Sequence, residues 1–392
     1  MWSVTKLDCS VNDMFMEVAN MDTGPWHLTW DQVSWDLACA AIGAAIGWIL
    51  GAFLTKPLVS KMLRFRRSLR RRFCGIPPVP TPEAFVLGSH KTSFVIVDGD
   101  GQMVYTPDTL TCAVIEEEAK LPPEVIKLYN EIETTEEEKK AKGLQYRWNG
   151  PLYALDHPQV ERTSPYENLV LTLWLRITDY YTFMATVLSL DKNLVDPPAS
   201  LTLRDRYLAW HDPSKPIPFL ANGLGVALVI MTKDGKLILS RRQETLSARP
   251  GELDVSVVEG VHPYHDRHTD HPGPDLYRTA IRGAMEELGV TLLQPDVTFL
   301  GFGVDMQYYQ WNVIGMAEIA ETAQQILERR TRGTAGKWEA HAFEPVDAVP
   351  RTAFEYLKNH KMWDTGKVAI YWALVKKCGK KRVEEAVRQV FG

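Results

Sequence analysis

The sequence predicts an α/β protein whose C-terminal domain is preceded by a small α+β domain and, ahead of both, one transmembrane helix. Three observations carry this. Residues 37–54 run LACAAIGAAIGWILGAFL without a charge. Residues 223–242, GLGVALVIMTKDGKLILSRR, read as two strands about a tight turn. Residues 274–288 space apolar side chains at helical intervals and end at a glycine. At 392 residues and 45% hydrophobic content, the chain has room for two or three domains and at least one full core. A net charge of -5 and a pI near 6.1 argue against a nucleic-acid partner held by a general basic field. The five cysteines lie far apart with no C-x-x-C, which supports neither a disulfide framework nor a zinc ribbon and suits a reducing compartment.

The charge-free run covers nearly a bilayer's hydrocarbon thickness at a helical rise of about 1.5 Å per residue. Its flanks decide the orientation. Asp8, Asp13, Glu17, Asp22, Asp31 and Asp36 precede it, opposed only by Lys6; Lys56, Lys61, Arg64, Arg66, Arg67, Arg70, Arg71 and Arg72 follow it. The positive-inside rule then places the N-terminus outside and the rest of the chain in the cytoplasm, as in a single-pass inner or plasma membrane protein. Residues 1–36 form the outer segment, 37–55 the span, and 56–82 a basic juxtamembrane stretch closing in the proline-rich linker GIPPVPTP. Trp26, Trp30 and Trp35 suit the outer headgroup level, and the basic stretch can touch anionic lipid. Gly43, Gly47 and Gly51 fall four apart on one helix face, so the expected partners are membrane lipid and a second copy of the span, giving a homo-oligomer.

Residues 83–215 form the expected small α+β domain. TSFVIVDGDGQMVYT reads as a hairpin turning at Asp98 to Gly101. The mixed-charge stretch from Leu121 to Gly143 reads as a solvated helix, and Leu169 to Ile177 as an apolar strand followed by a helix capped by Thr178.

Residues 216–392 form the C-terminal domain, where the strands meet at Lys233-Asp234-Gly235 and DVSVVEG adds another strand ending at Gly260. In the helix that follows, Ile281, Ala284, Met285 and Leu288 form the apolar stripe, while Arg282, Glu286 and Glu287 occupy the rest before the glycine cap Gly289. The loop HPYHDRHTDH carries His262, His265, His268 and His271 at intervals of three; its spacing invites a metal-site reading, and the preferred reading is a mobile polar lid.

RGAMEELGV resembles the second half of the Nudix hydrolase box, G-x(5)-E-x(7)-R-E-U-x-E-E-x-G-U with U aliphatic. Arg282, Glu286, Glu287, Gly289 and Val290 fall at its R, E, E, G and U, and Gly260-x(5)-Asp266 echoes the front half. Two departures stand out: Gly283 replaces the first glutamate after the arginine, and fifteen residues rather than seven separate Asp266 from Arg282. YRWNGPLYAL, LTLWLRITDYYTFMAT and the strands from residue 224 follow the motif order of the subgroup that hydrolyses UDP-glucose and UDP-galactose.

The resemblance implies a Nudix-type α/β/α sandwich with a mixed sheet, and Mg²⁺ or Mn²⁺ as cofactor. Pyrophosphate cleavage needs a hard cation held by converging carboxylates. Glu286 and Glu287 are the expected metal ligands, oriented by Arg282, and Glu259 or Glu339 takes the place of the base lost at Gly283. Arg241 and Arg242, at a strand end, are expected to meet substrate phosphates. The leading expectation is a membrane-anchored hydrolase of a nucleoside diphosphate-linked compound such as a UDP-sugar. The alternative is a non-hydrolytic sensor of a nucleotide-derived small molecule that controls the self-associating span, as in a bacterial defence effector. No nucleic-acid partner is expected.

Overall fold

The computed structural model describes residues 83–162, 169–194, 201–244, 249–268, 271–332 and 340–392, with backbone alone at 169, 331, 332, 340 and 341. All lie in the unit Val79–Gly392. The expected span at 37–55 with Gly43, Gly47 and Gly51, and the candidate Glu339, fall outside the described residues. Among the described residues no helix is long and apolar enough to cross a membrane.

The elements in chain order are β1 (Ala84–Leu87), β2 (His90–Gly99), β3 (Leu110–Ile115), α1 (Pro123–Ala141), β4 (Pro151–Arg162), β5 (Leu169–Asp179), α2 (Tyr180–Thr186), β6 (Gly225–Met231), β7 (Lys236–Arg242), β8 (Leu253–Asp254), β9 (Val257–Gly260), α3 (Leu276–Leu288), β10 (Val297–Asp305), β11 (Gln310–Glu318), α4 (Ala323–Arg332), β12 (Ala340–Asp347), α5 (Pro350–Asn359), α6 (Asp364–Cys378) and α7 (Lys380–Phe391). The larger sheet runs β1-β2-β10-β11-β6-β7-β12, with β8 on β7 and β9 on β6; a smaller sheet runs β3-β5-β4. The larger one is mixed, because β11 and β6 are parallel while their neighbours pair antiparallel.

Strand β6 explains the layering. All seven of its residues are buried, which only a strand covered on both faces requires. Val226, Leu228 and Ile230 join one core with Ala280, Ala284 and Leu288 of α3. Their alternates Ala227, Val229 and Met231 join the other with Val368, Ala369 and Trp372 of α6. The period of two along the strand thus assigns one helix layer to each face. Each leucine buried in this way contributes about 1.5–3 kcal/mol.

Several expectations change. Residues 92–106 do not form a hairpin: β2 continues to Gly99 and pairs with β10, Asp98 opposite Phe302 and Gly99 opposite Gly301. Only then does the chain leave, touching the sheet again where Tyr105 bridges Phe299. The reason is that the open edge of β10 offers a long ladder that a local turn would forgo. Strands β1 and β2 are therefore part of the larger sheet. The cap of α2 is Asp179, one residue after the expected Thr178; its carboxylate accepts from Thr182 N at 2.7 Å. The solvated helix α1 buries one charge, Glu136, against Lys139 at 2.6 Å.

Candidate active site around Arg282

Helix α3 begins where Asp275 caps it, accepting from Tyr277 N at 2.9 Å, and ends at Gly289 with φ 67°. Only glycine takes that left-handed value without strain. The buried face comprises Leu276, Tyr277, Thr279, Ala280, Gly283, Ala284 and Leu288. Met285, expected on the apolar stripe, is 44% exposed, because the buried face is centred near Ala280 and Met285 lies on the opposite side of the helix.

Gly283 sits where α3 crosses β9. A β-carbon there would lie 2.6 Å from Val257 Cγ1, 2.9 Å from Glu259 Cβ and 3.1 Å from Glu259 Cγ. The absent side chain is thus a packing requirement as well as a lost carboxylate. The stem of Glu259 fills the space through which a side chain at 283 would leave the helix.

Arg282 organises the carboxylates. Its Nε and Nη2 both donate to Asp266 at 2.8 Å, a paired fork on a side chain with no exposed surface. Nη1 donates to Glu259 Oε1 at 2.8 Å and reaches Glu286 Oε2 at 3.4 Å, and Nη2 also donates to the Gly260 carbonyl at 2.9 Å. Burial works against the guanidinium charge, yet its hydrogen bonds to Asp266 and the charges of Glu259 and Asp266 hold its pKa above the usual value. Three carboxylates around one guanidinium leave the group net negative, which suits an incoming cation. Glu286 remains 44% exposed by side chain. Glu287 also acts on Arg330 of α4: burial lowers the Arg330 pKa against the Glu287 charge, and the guanidinium donates to the Glu287 carbonyl and stacks 4.0 Å over Phe343.

The extra length between Asp266 and Arg282 does not displace the front half of the motif. Asp266 N bonds to the His262 carbonyl at 3.2 Å, Asp266 Oδ2 accepts from His262 N at 2.8 Å, and Asp275 N donates to the Asp266 carbonyl at 2.7 Å. The insertion is accommodated between these fixed points, with Gly273 pressed against the Cys112 backbone. The loop expected as a lid is pinned at both ends. His262 Nδ1 accepts from Tyr264 N at 3.1 Å and His265 N at 3.3 Å, so the ring proton belongs on Nε2. Burial, His265 and Arg282 lower the His262 pKa against Asp266 and Glu286, keeping the ring neutral beside the cluster. Among the described residues no group of three His, Cys, Asp or Glu stands ready to cage a metal.

Arg241 and Arg242 end β7 as expected, but each has a carboxylate. Arg241 Nε donates to Glu344 Oε1 at 2.6 Å and Nη1 to the Gly251 carbonyl at 3.1 Å. Arg242 Nη1 lies 3.5 Å from Asp254, which also pairs with the buried Arg249. Sequence reasoning did not find the Arg330 contact or the neutral His262. No spacing signal announces the first, while four histidines at equal intervals hid the second.

No family model matches the chain, and no curated protein does. Among solved structures the chain is similar to a Deinococcus radiodurans protein, at 18% identity and TM-score 0.27, over 38% of this chain and 80% of that one. It is similar to a MutT protein from Methanosarcina mazei at 13% identity and TM-score 0.26, over 40% and 96%. It is also similar to a MutT/nudix family protein from Enterococcus faecalis at 16% identity and TM-score 0.28, over 43% and 67%. The likeness to MutT and Nudix proteins is thus distant and spans about 40% of the chain.

Proposed function

We propose that the chain is a membrane-anchored Nudix-like hydrolase that cleaves a nucleoside diphosphate joined to another group, such as a UDP-sugar, by attack of water on phosphorus. The observation that carries this reading is Arg282, held by Asp266 and Glu259 and reaching Glu286 one turn later on the same helix, with Glu287 next to it in sequence. Mg²⁺ is usually held by one or two protein carboxylates together with substrate phosphates, so this pair fits it in donor type and number. When bound, the ion neutralises phosphate oxygens and lowers the pKa of water. Glu286 and Glu287 are the residues that would hold it.

The protein's own groups divide the remaining work. Arg282 fixes the carboxylates of β9, of the loop and of α3 relative to each other, so little ordering is left for the moment of reaction. Glu259 is the described carboxylate beside Gly283 and is assigned as the base that orients water; Glu339 is the other candidate. Neutral His262 lines the same cluster without adding positive charge. The full chain in detergent with Mg²⁺ is expected to release a nucleoside monophosphate from UDP-glucose or a related compound. Glu287→Gln should slow this by at least about 100-fold, or about 2.7 kcal/mol of barrier. A panel of nucleoside diphosphate-linked compounds left intact would overturn the reading.

One observation favours a second reading. Gly283 has no room for the carboxylate that the Nudix pattern carries there. A protein that binds the nucleotide without cleaving it, and so shifts the assembly of its membrane helices, needs no such group. Binding without turnover across the same panel would select it.

A further inference from the structure

A cavity of about 610 Å³ opens between the smaller sheet and the loop of the Arg282 cluster. That size lies within the roughly 300–1,000 Å³ range of small-molecule sites. Trp148 and Tyr264 line it, and they are 68% and 70% exposed, more than the other large apolar residues described. Tyr129 and Phe219 add two more rings, and Glu118 and Asp179 add carboxylates; among the described residues no lysine or arginine lines the cavity. Exposed aromatic faces on opposite segments of the chain cost free energy unless something flat covers them. The acids repel phosphate and accept hydrogen bonds from N–H groups.

The cavity is joined to the Arg282 cluster by backbone. Ala154 and Asn222, both in its wall, bridge each other. Tyr153 O accepts from Leu224 N at 3.2 Å, and Leu224 O from Val261 N at 2.9 Å, next to the Gly260 carbonyl that Arg282 holds. Tyr264 stands two residues before Asp266, with its ring 5.7 Å from that of His262.

We propose that this cavity is a nucleoside-binding subsite: a nucleobase stacks on Trp148 and Tyr264 and donates N–H groups to the acidic wall, while the phosphates extend outside towards Arg282. The base is chosen over a hexose because it alone presents a π-face to these rings. The inference rests on the proposed nucleotide chemistry of the Arg282 cluster, but it can be tested without cleavage.

The test is calorimetric titration of the full chain in detergent with adenosine, cytidine, guanosine and uridine, and separately with glucose 1-phosphate. At least one nucleoside should bind. Trp148→Ala and Tyr264→Ala should each weaken it about tenfold or more, that is by about 1.4 kcal/mol, and Trp148→Phe should retain most of the affinity. Both rings are mostly exposed, so these variants should unfold at the parent's urea midpoint. Absence of binding by all four nucleosides, or variants within twofold of the parent, overturns the subsite. So does selective loss of glucose 1-phosphate binding, which would assign the rings to a sugar. Nucleoside binding with no compound cleaved overturns the hydrolytic reading and leaves the subsite standing; cleavage lost in Glu287→Gln with no nucleoside bound does the reverse.

Discussion

At Gly283 two opposing effects can be weighed. Alanine is the better helix former by about 1 kcal/mol, but its β-carbon would come within 3.0 Å of both Val257 Cγ1 and Glu259 Cβ. Val257 is fully buried, and the β-carbon of Glu259 is fixed by strand β9, so neither contact is a flexible side-chain end that can swing away. Overpacking of this kind costs about 1–3 kcal/mol, enough to outweigh the helical gain. Gly283→Ala is therefore expected to lower stability by about 1 kcal/mol, read as a lower urea midpoint at unchanged m-value; a stabilised variant would show that α3 and β9 are not in this contact. The sequence disclosed that a carboxylate is missing here. It could not disclose the close approach, because that depends on where a strand more than twenty residues earlier lies against the helix.

Where β10 ends and α6 begins, a pair of carboxylates shares one serine. Ser93 Oγ lies 2.8 Å from Asp305 Oδ1 and 2.9 Å from Asp364 Oδ2, and the Ser93 amide also donates to Asp364 at 2.7 Å. A hydroxyl has one proton, so both contacts are hydrogen bonds only if one acid is protonated. Burial raises the pKa of Asp305 against its bonds from Ser93 and Gln307. Burial also pushes Asp364 up, but the Lys367 ammonium and the two donors of Ser93 outweigh it and leave that pKa low. Asp305 is thus the acid of the two that takes up a proton first as pH falls. The signs then differ. Between the ordinary aspartate value of about 3.9 and the raised value, folded Asp305 binds a proton that the unfolded chain releases, so its contribution to stability grows as pH falls through that window. Asp364 stabilises above about 3.9, and this is lost only as pH falls through its lower folded value. Asp305→Asn should be at least as stable as the parent at pH 7 and should remove the gain on acidification from pH 7 towards the ordinary aspartate value, measured as urea midpoints. A parent midpoint flat across that range would contradict the assignment. Neither acid was legible from sequence as a partner of the other, since they are brought together only when β2 inserts beside β10.

Across the whole molecule, legibility followed how local each cause was. The turn at Asp234-Gly235, the two strands it joins and the glycine cap of α3 are written in consecutive residues, and the structure has them where the sequence puts them. Pairing of β2 with β10 and convergence of Trp148 with Tyr264 depend on contacts between distant segments, which no local pattern specifies. The proposed coupling to the membrane rests on a local pattern. In the proposed span, Gly43, Gly47 and Gly51 repeat at the interval that would stack small residues on one helix face, so that two helices could approach until their backbones touch. In lipid there is no hydrophobic drive to join helices, so association depends on that closeness. A leucine at 47 of the proposed span would hold two helices apart at the centre of the stripe without adding a polar group. Gly47→Leu is expected to insert normally but to weaken self-association of the full chain in bilayers by about tenfold or more, about 1.4 kcal/mol. Cross-linking yield against protein-to-lipid ratio measures this. An unchanged yield would mean that the glycines are ordinary residues of a membrane helix, and that any response to nucleotide reaches the bilayer by another route.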